Sequence, residues 1–217
     1  MRIKVCCIQS VEEAQLAIQH GAHALGLVAE MPTGTGVIGD EEIRRIADSI
    51  PPTYSSVLLT SRTNPDAIVE HQRATGANTL QLVGAINPRD VRKIRGALPG
   101  ISLVKVIHVQ DSNSVELAVG YLDVADALLL DTKIKTREGE ALGGTGMTHD
   151  WSISRRIVEA STRPVFLAGG LSPENVAAAI RAVRPFGVDV CSSLRPNGTL
   201  DPIRLREFIS RSSVAAA

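Results

Sequence analysis

Aromatic residues are scarce: one Trp, two Tyr and three Phe make up 3% of the 217 residues. So few rings disfavour a stacking surface for single-stranded nucleic acid, and they leave the core to aliphatic side chains. Neither sign of charge prevails, with 23 Lys and Arg against 23 Asp and Glu. Without a net field, nothing holds nucleic acid or an acidic membrane over the whole surface, and any anion must be bound by a local site. Long apolar runs are missing too; the longest, such as "VADALLLD" ending at Asp131, have the length of a strand rather than of a membrane span. Cysteines number three, Cys6, Cys7 and Cys191. An odd set with two adjacent members gives no disulfide framework, and the opening "MRIKVCC" lacks a cationic region followed by a secretory apolar stretch. The expectation is a cytoplasmic protein with reduced thiols and no nucleic-acid or membrane partner. With no C-x-x-C spacing and scattered histidines, no metal site is expected either.

What is present is a regular alternation. Short apolar runs rich in β-formers occur at Ile3 to Ile8, Ala24 to Val28, Ser55 to Leu59, Thr79 to Leu82, Leu103 to Ile107, Ala127 to Leu130, Val165 to Ala168 and Gly187 to Val190. Between them lie stretches with apolar residues at helical spacing, such as "VEEAQLAIQHGA" and "SPENVAAAIRAVRP". Ser10 with Glu13 suggests a capping box, and Asn64-Pro65, Asn87-Pro88 and Ser172-Pro173 place proline at helix starts. Strand runs that are almost continuously apolar belong to a parallel sheet covered on its faces. Eight such βα units in a chain of this length predict one α/β domain, a (β/α)₈ TIM barrel over residues 1–211, with a doubly wound open sheet as the alternative. The small, polar end of the chain, 212–217, is expected to fray. No apolar surface stripe distinguishes a monomer from a homodimer.

In such a barrel, function collects at the carboxyl ends of the strands. Two stretches there suit a phosphate: Gly169-Gly170, just before a helix, and Cys191-Ser192-Ser193 after the eighth strand. Glycine lets backbone approach an anion closely, and free amides at a helix start point towards it. Asp131 closes an apolar strand, where a partly dry carboxyl has a raised pKa and becomes a proton donor; it equally suits a carboxylate that accepts bonds in its own loop. Cys6 shares a strand face with Lys4, while Val5 and Cys7 share the other. A thiol beside a cation is a candidate base, and otherwise a small core hydrophobe. His108 lies near the end of the fifth run, and His149 precedes a helix that it would cap.

Three stretches, "KVCCI" (Lys4 to Ile8), "LGGTGMTHDWS" (Leu142 to Ser152) and "RPVFLAGGLSPENVAAAIRAVRPFGVDVCSS" (Arg163 to Ser193), together resemble the phosphoribosylanthranilate isomerase family of tryptophan biosynthesis. The resemblance runs over nearly the whole chain and is densest in its last third. It implies a (β/α)₈ barrel and a cofactor-free Amadori rearrangement of a small phosphorylated sugar amine. By that resemblance Cys6 is the catalytic base and Asp131 the acid. Gly169, Gly170, Cys191, Ser192 and Ser193 hold the substrate phosphate, and Gly143, Gly144, Thr145 and Gly146 form the substrate loop beside the acid.

Departures from the family pattern concentrate on the substrate side. Cys7 replaces a glycine after the catalytic cysteine, and Gly36 stands where the family has an arginine for the anthranilate carboxylate. Val83 replaces a histidine, Ser193 a glycine and Arg195 an acid, and the loop after Asp131, "KIKTREGEA", is longer and charged. A bidentate arginine contact is not reproduced by a neutral loop's side chains. The sequence therefore also accommodates a divergent paralogue isomerising or epimerising another phosphorylated sugar, with Arg62 or Arg195 as a relocated cation, and a silent phosphate-ligand binding protein.

Overall fold

The computed structural model describes residues 1–32, 35–136, 139–142 and 148–215. Strands and helices alternate: β1 (Arg2–Val5), α1 (Val11–Gln19), β2 (Ala24–Val28), α2 (Asp40–Ser49), β3 (Ser55–Thr60), α3 (Pro65–Thr75), β4 (Thr79–Leu82) and α4 (Pro88–Ala97). There follow β5 (Ser102–Val109), α5 (Asn113–Val119), β6 (Ala127–Thr136), β7 (Gly139–Leu142), α6 (Trp151–Ala160), β8 (Val165–Leu167), α7 (Val176–Val183), β9 (Gly187–Val190) and α8 (Pro202–Ala215). Each strand but β7 pairs in parallel with its neighbours. The β5–β6 and β1–β9 pairings close the sheet, so the fold is the (β/α)₈ barrel and not the open sheet.

Strand alternation divides the apolar residues into two clusters. Val57, Leu59, Val106, Leu129 and Ala168 point into the barrel, with Cys6 and Cys7 at its mouth. Leu58, Leu80, Leu103, Leu128 and Leu167 point outward and pack beneath Ile43, Ile68, Ile94, Ile157, Ile180 and Phe208 of the helices. Burying each such side chain stabilises the fold by about 1.5–3 kcal/mol, so the outer shell dominates stability and the interior is free to carry polar groups.

Helix starts follow the capping chemistry read from the sequence. Ser10 Oγ accepts from the Glu13 amide at 3.2 Å, and Asn64 and Asn87 cap α3 and α4 with proline at the first turn. Two expectations are corrected. Ser172-Pro173 does not open α7: residues 172–175 form a turn in which Asn175 Oδ1 accepts from the Ser172 amide at 2.8 Å, and the helix begins at Val176. The charged stretch after Asp131 is not simply a loop, since Lys133 to Thr136 pair antiparallel with Gly139 to Leu142. At the chain end α8 runs through 212 to Ala215, and the buried Ser212 donates its hydroxyl to the Phe208 carbonyl at 2.7 Å. Among the described residues no helix is long and apolar enough to cross a membrane.

Candidate active site

A cleft open to solvent lies at the carboxyl end of the barrel. Cys6 and Asp131 both line it, as do Gly169, Gly170, Cys191 and Ser192. The barrel therefore brings together residues as far apart in sequence as Cys6 and Ser192. Gly143 to Gly146 lie outside the described residues.

Cys6 continues β1, its amide bonded to the Val190 carbonyl at 2.8 Å. The sequence could not decide whether Lys4 and Cys6 or Val5 and Cys7 face the interior; the barrel turns Lys4 and Cys6 inward. Gly26 on β2 makes the room, since a Cβ there would lie 2.7 Å from the Cys6 sulfur. Below the thiol, Lys4 Nζ meets Asp189 Oδ2 at 2.9 Å, both groups buried and opposite each other in the β1–β9 register. Burial works against the Lys4 ammonium, yet Asp189 and Cys6 outweigh it and hold its pKa above the ordinary value. Burial pushes the Cys6 thiol up to about 11, against the pull of Lys4. Among the described residues no hydrogen-bond partner meets the other Asp189 oxygen, Oδ1, or Gln81 Oε1. Both side chains line the cleft, and buried polar atoms so placed suit a hydrogen-bonding ligand. The sequence reading missed both as site residues, although a charge in "GVDV" and an amide in "TLQL" are polar interruptions of strands otherwise buried.

Asp131 lies two residues beyond Leu129 on β6, near the end of the stretch that pairs with β5. Burial raises its carboxyl to about 6, only partly offset by the Thr132 amide, which donates to Oδ1 at 2.7 Å. His149 is not the cap of α6; Asp150 is. Burial pushes His149 down to about 4, and the neutral ring bridges Thr132 Oγ1 (3.0 Å) and Ser154 Oγ (2.6 Å), fixing the residue after the acid. His108 is the register partner of Asp131 on β5, with Nε2 3.4 Å from the Val83 carbonyl.

The glycine pair after β8 has a structural cause. Gly169 and Gly170 have φ of 80° and 64°, and a Cβ on Gly169 would lie 2.2 Å from Thr132 Oγ1. Among the described residues the amides of Gly170 and Leu171 donate to no protein acceptor, which leaves them for a ligand. The loop after β9 is tied to them, as Ser193 Oγ donates to the Leu171 carbonyl at 2.7 Å and Arg204 Nε to the Ser193 carbonyl at 2.5 Å.

The expectation of reduced thiols is corrected: Cys7 and Cys191 form a disulfide across 184 residues of sequence, and Cys6 alone is free. Sequence spacing gave no sign of it, because only barrel closure brings the ends of β1 and β9 together. Neither arginine suggested as a relocated cation lies in the cleft. Arg195 is held by Glu13 at 2.5 Å and by Gln9, and Arg62 donates to the Ala67 carbonyl.

Comparison with known proteins agrees with this geometry. The family model described as N-(5'phosphoribosyl)anthranilate (PRA) isomerase matches residues 3–211. A curated relative, the N-(5'-phosphoribosyl)anthranilate isomerase of Methanocella arvoryzae, is 38% identical over 98% of both chains. The crystal structure of phosphoribosyl anthranilate isomerase from Thermotoga maritima superposes with a TM-score of 0.84 at 32% identity over 99% of both chains. A structure of such an enzyme in complex with reduced 1-(o-carboxyphenylamino)-1-deoxyribulose 5-phosphate gives a TM-score of 0.82 at 30% identity, again over 99% of each chain.

Proposed function

The chain belongs to the N-(5'-phosphoribosyl)anthranilate isomerase family, and we propose that it isomerises N-(5'-phosphoribosyl)anthranilate to 1-(o-carboxyphenylamino)-1-deoxyribulose 5-phosphate, with Asp131 as acid and Cys6 as base. The observation that carries this reading is the shared cleft: a buried free thiol and a protonatable carboxyl on strands β1 and β6, with unpaired amides beside Gly170 at one end.

The steps follow from the positions and pKa values of the groups. Asp131, protonated up to about pH 6, gives its proton to the ring oxygen; the C1–O bond breaks and an iminium forms between C1 and the anthranilate nitrogen. That positive charge, added to the Lys4 ammonium, favours the thiolate of Cys6 against the burial that opposes it. The thiolate removes the C2 proton, and the C–H electrons neutralise the iminium to give an enolamine. Loss of the C2 hydroxyl proton and protonation at C1 then yield the aminoketose. Asp189 Oδ1 and Gln81 Oε1 offer acceptors for the hydroxyls that this sequence creates and moves. The phosphate rests against the amides of the Gly169-Gly170 turn and the Cys191-to-Ser193 loop, and Val28, Met31, Leu59 and Val83 give the aromatic ring an apolar wall. A cytoplasmic site of action, as expected from the sequence, belongs to the same proposal.

Turnover of phosphoribosylanthranilate by the purified protein tests the reading directly. Cys6→Ser and Asp131→Asn are each expected to lower kcat by about 10²–10⁴-fold without unfolding the chain. Unchanged rates in either variant would remove that residue from its role, and no turnover by the parent protein at high enzyme concentration would sink the assignment of substrate.

A further inference from the structure

The proton chemistry leaves one feature of the cleft unused, the bond between Cys7 and Cys191. We propose that this disulfide is a reversible tie that positions the phosphate end of the cleft, so that exchange with a dithiol sets how tightly the phosphate is held. The inference rests on the reading of Gly169-Gly170 and Cys191 to Ser193 as the phosphate cradle.

Its placement is the first argument. Cys7 directly follows the free, buried Cys6, and Cys191 opens the short turn Ser192–Leu194; both sulfur-bearing residues line the cleft. The bond therefore joins the strand that carries the proposed base to the loop proposed to carry the phosphate.

The side chain at 7 also makes demands on its surroundings. Cys7 has φ of 63°, a conformation natural to glycine and costly for any residue with a Cβ. Its Cβ also fits only because residue 36 is Gly, where an added Cβ would lie 2.5 Å away. Two positions are thus given over to accommodating Cys7, and the bond to Cys191 is the contact it makes in return.

The third argument is transmission. Thr35 Oγ1 lies 3.9 Å from the Cys7 sulfur and 3.8 Å from that of Cys191, so Thr35 is seated on the bond. On its far side the β9 loop is fixed to Leu171, next to Gly170, through Ser193. A shift at Cys191 is thereby passed to both halves of the cradle, whereas Asp131 is held within β6 by its pairing with β5, and Cys6 by its amide bond to the Val190 carbonyl.

The chemistry is balanced by the reductant. A thiolate of a dithiol attacks the half-buried Cys191 sulfur from the open cleft, expelling Cys7 as thiolate and forming a mixed disulfide. The reagent's second thiolate then displaces Cys191. The protein gains two electrons and two protons as two thiols, and the reagent leaves as its cyclic disulfide. A small-molecule disulfide such as oxidised glutathione reverses the exchange.

The test compares the whole protein oxidised with glutathione disulfide and reduced with dithiothreitol. Alkylation after denaturation is expected to label Cys6 alone in the first state and all three cysteines in the second; full labelling in both would overturn the inference. Calorimetry with inorganic phosphate, and KM against kcat for phosphoribosylanthranilate, then read the cradle. Reduction is expected to weaken phosphate binding and raise KM by roughly tenfold, with kcat changing less. Cys7→Gly and Cys7→Ser are expected to match the reduced protein whatever the redox state. Phosphate binding of equal strength in both states would overturn the tie while leaving the cradle. Binding in neither state would overturn the cradle reading, and the inference with it.

Discussion

The Cβ of Cys7 fills the space that a side chain at Gly36 would need, a Cβ built on Gly36 lying 2.5 Å from it and 3.1 Å from the Cys7 Cα. These are two of the positions at which the sequence departs from the pattern of its family. The contact makes them one coupled change rather than two. A residue at 7 larger than glycine requires the absence of one at 36, so the cation expected at 36 from the resemblance has no room while Cys7 is present.

Gly36→Ala is accordingly expected to destabilise the fold by about 2 kcal/mol or more, from the clash and from a φ of 73°. Cys7→Gly in the same chain should recover the part due to the clash. Denaturant unfolding of the two single variants and the double variant measures this coupling, and simple additivity would contradict it.

Reduction of the Cys7–Cys191 bond releases a loop closed across 184 residues. Restoring that freedom to the unfolded chain should lower stability by up to about 5 kcal/mol. Denaturant midpoints with and without reductant test it, and Cys7→Ser should show no difference between the two conditions.

Asp131 sets a pH dependence whose sign is worked from its raised pKa. The folded carboxyl keeps its proton to about 6, while the unfolded one loses it near the ordinary 3.8. Between these values the folded state binds more protons, so this group's contribution to stability falls as pH rises through the window. Asp131→Asn should remove the trend and gain up to roughly 3 kcal/mol at neutral pH. Urea unfolding from about pH 4 to about pH 8 measures both. If Asp131 is the acid, kcat/KM of the parent enzyme should also decline above about pH 6.

The Lys4–Asp189 pair should be far costlier to break than to delete. Lys4→Met leaves a buried carboxylate without its partner and is expected to cost about 3–5 kcal/mol; Lys4→Met with Asp189→Leu should recover most of it. Activity should not return with stability in the double variant, because the Cys6 thiol then lacks the ammonium that opposes burial. Recovery of turnover would show that the pair serves the fold alone.

Gly169→Ala tests the turn. Its Cβ would enter the space of Thr132 Oγ1 at a φ of 80°, so a loss of about 2 kcal/mol or more is expected. Displacement of Thr132 would also disturb Asp131, and kcat should fall along with phosphate affinity.

Much of the fold was legible because its signals are local. Each of the eight parallel strands lies at or close to one of the apolar runs, and the caps at Ser10, Asn64 and Asn87 formed as their side chains require. The misreadings came where local chemistry was ambiguous. Ser172-Pro173 suits a turn as well as a helix start, and "KIKTREGEA" carries a strand pairing beneath its charge. Cys6 and Asp131 were singled out by type and position at strand ends, and the structure places both in one cleft.

The sequence by itself determined the succession of βα units and the identity of the residues at the strand ends, because apolar spacing and capping act over a few residues. Only the tertiary structure decided which face of β1 looks inward, that Asp189 lies under Cys6 and pairs with Lys4, and that Cys7 meets both Gly36 and Cys191. Those relations join residues up to 185 positions apart. They exist because closing the sheet brings its first and last strands side by side, a proximity that no local pattern encodes.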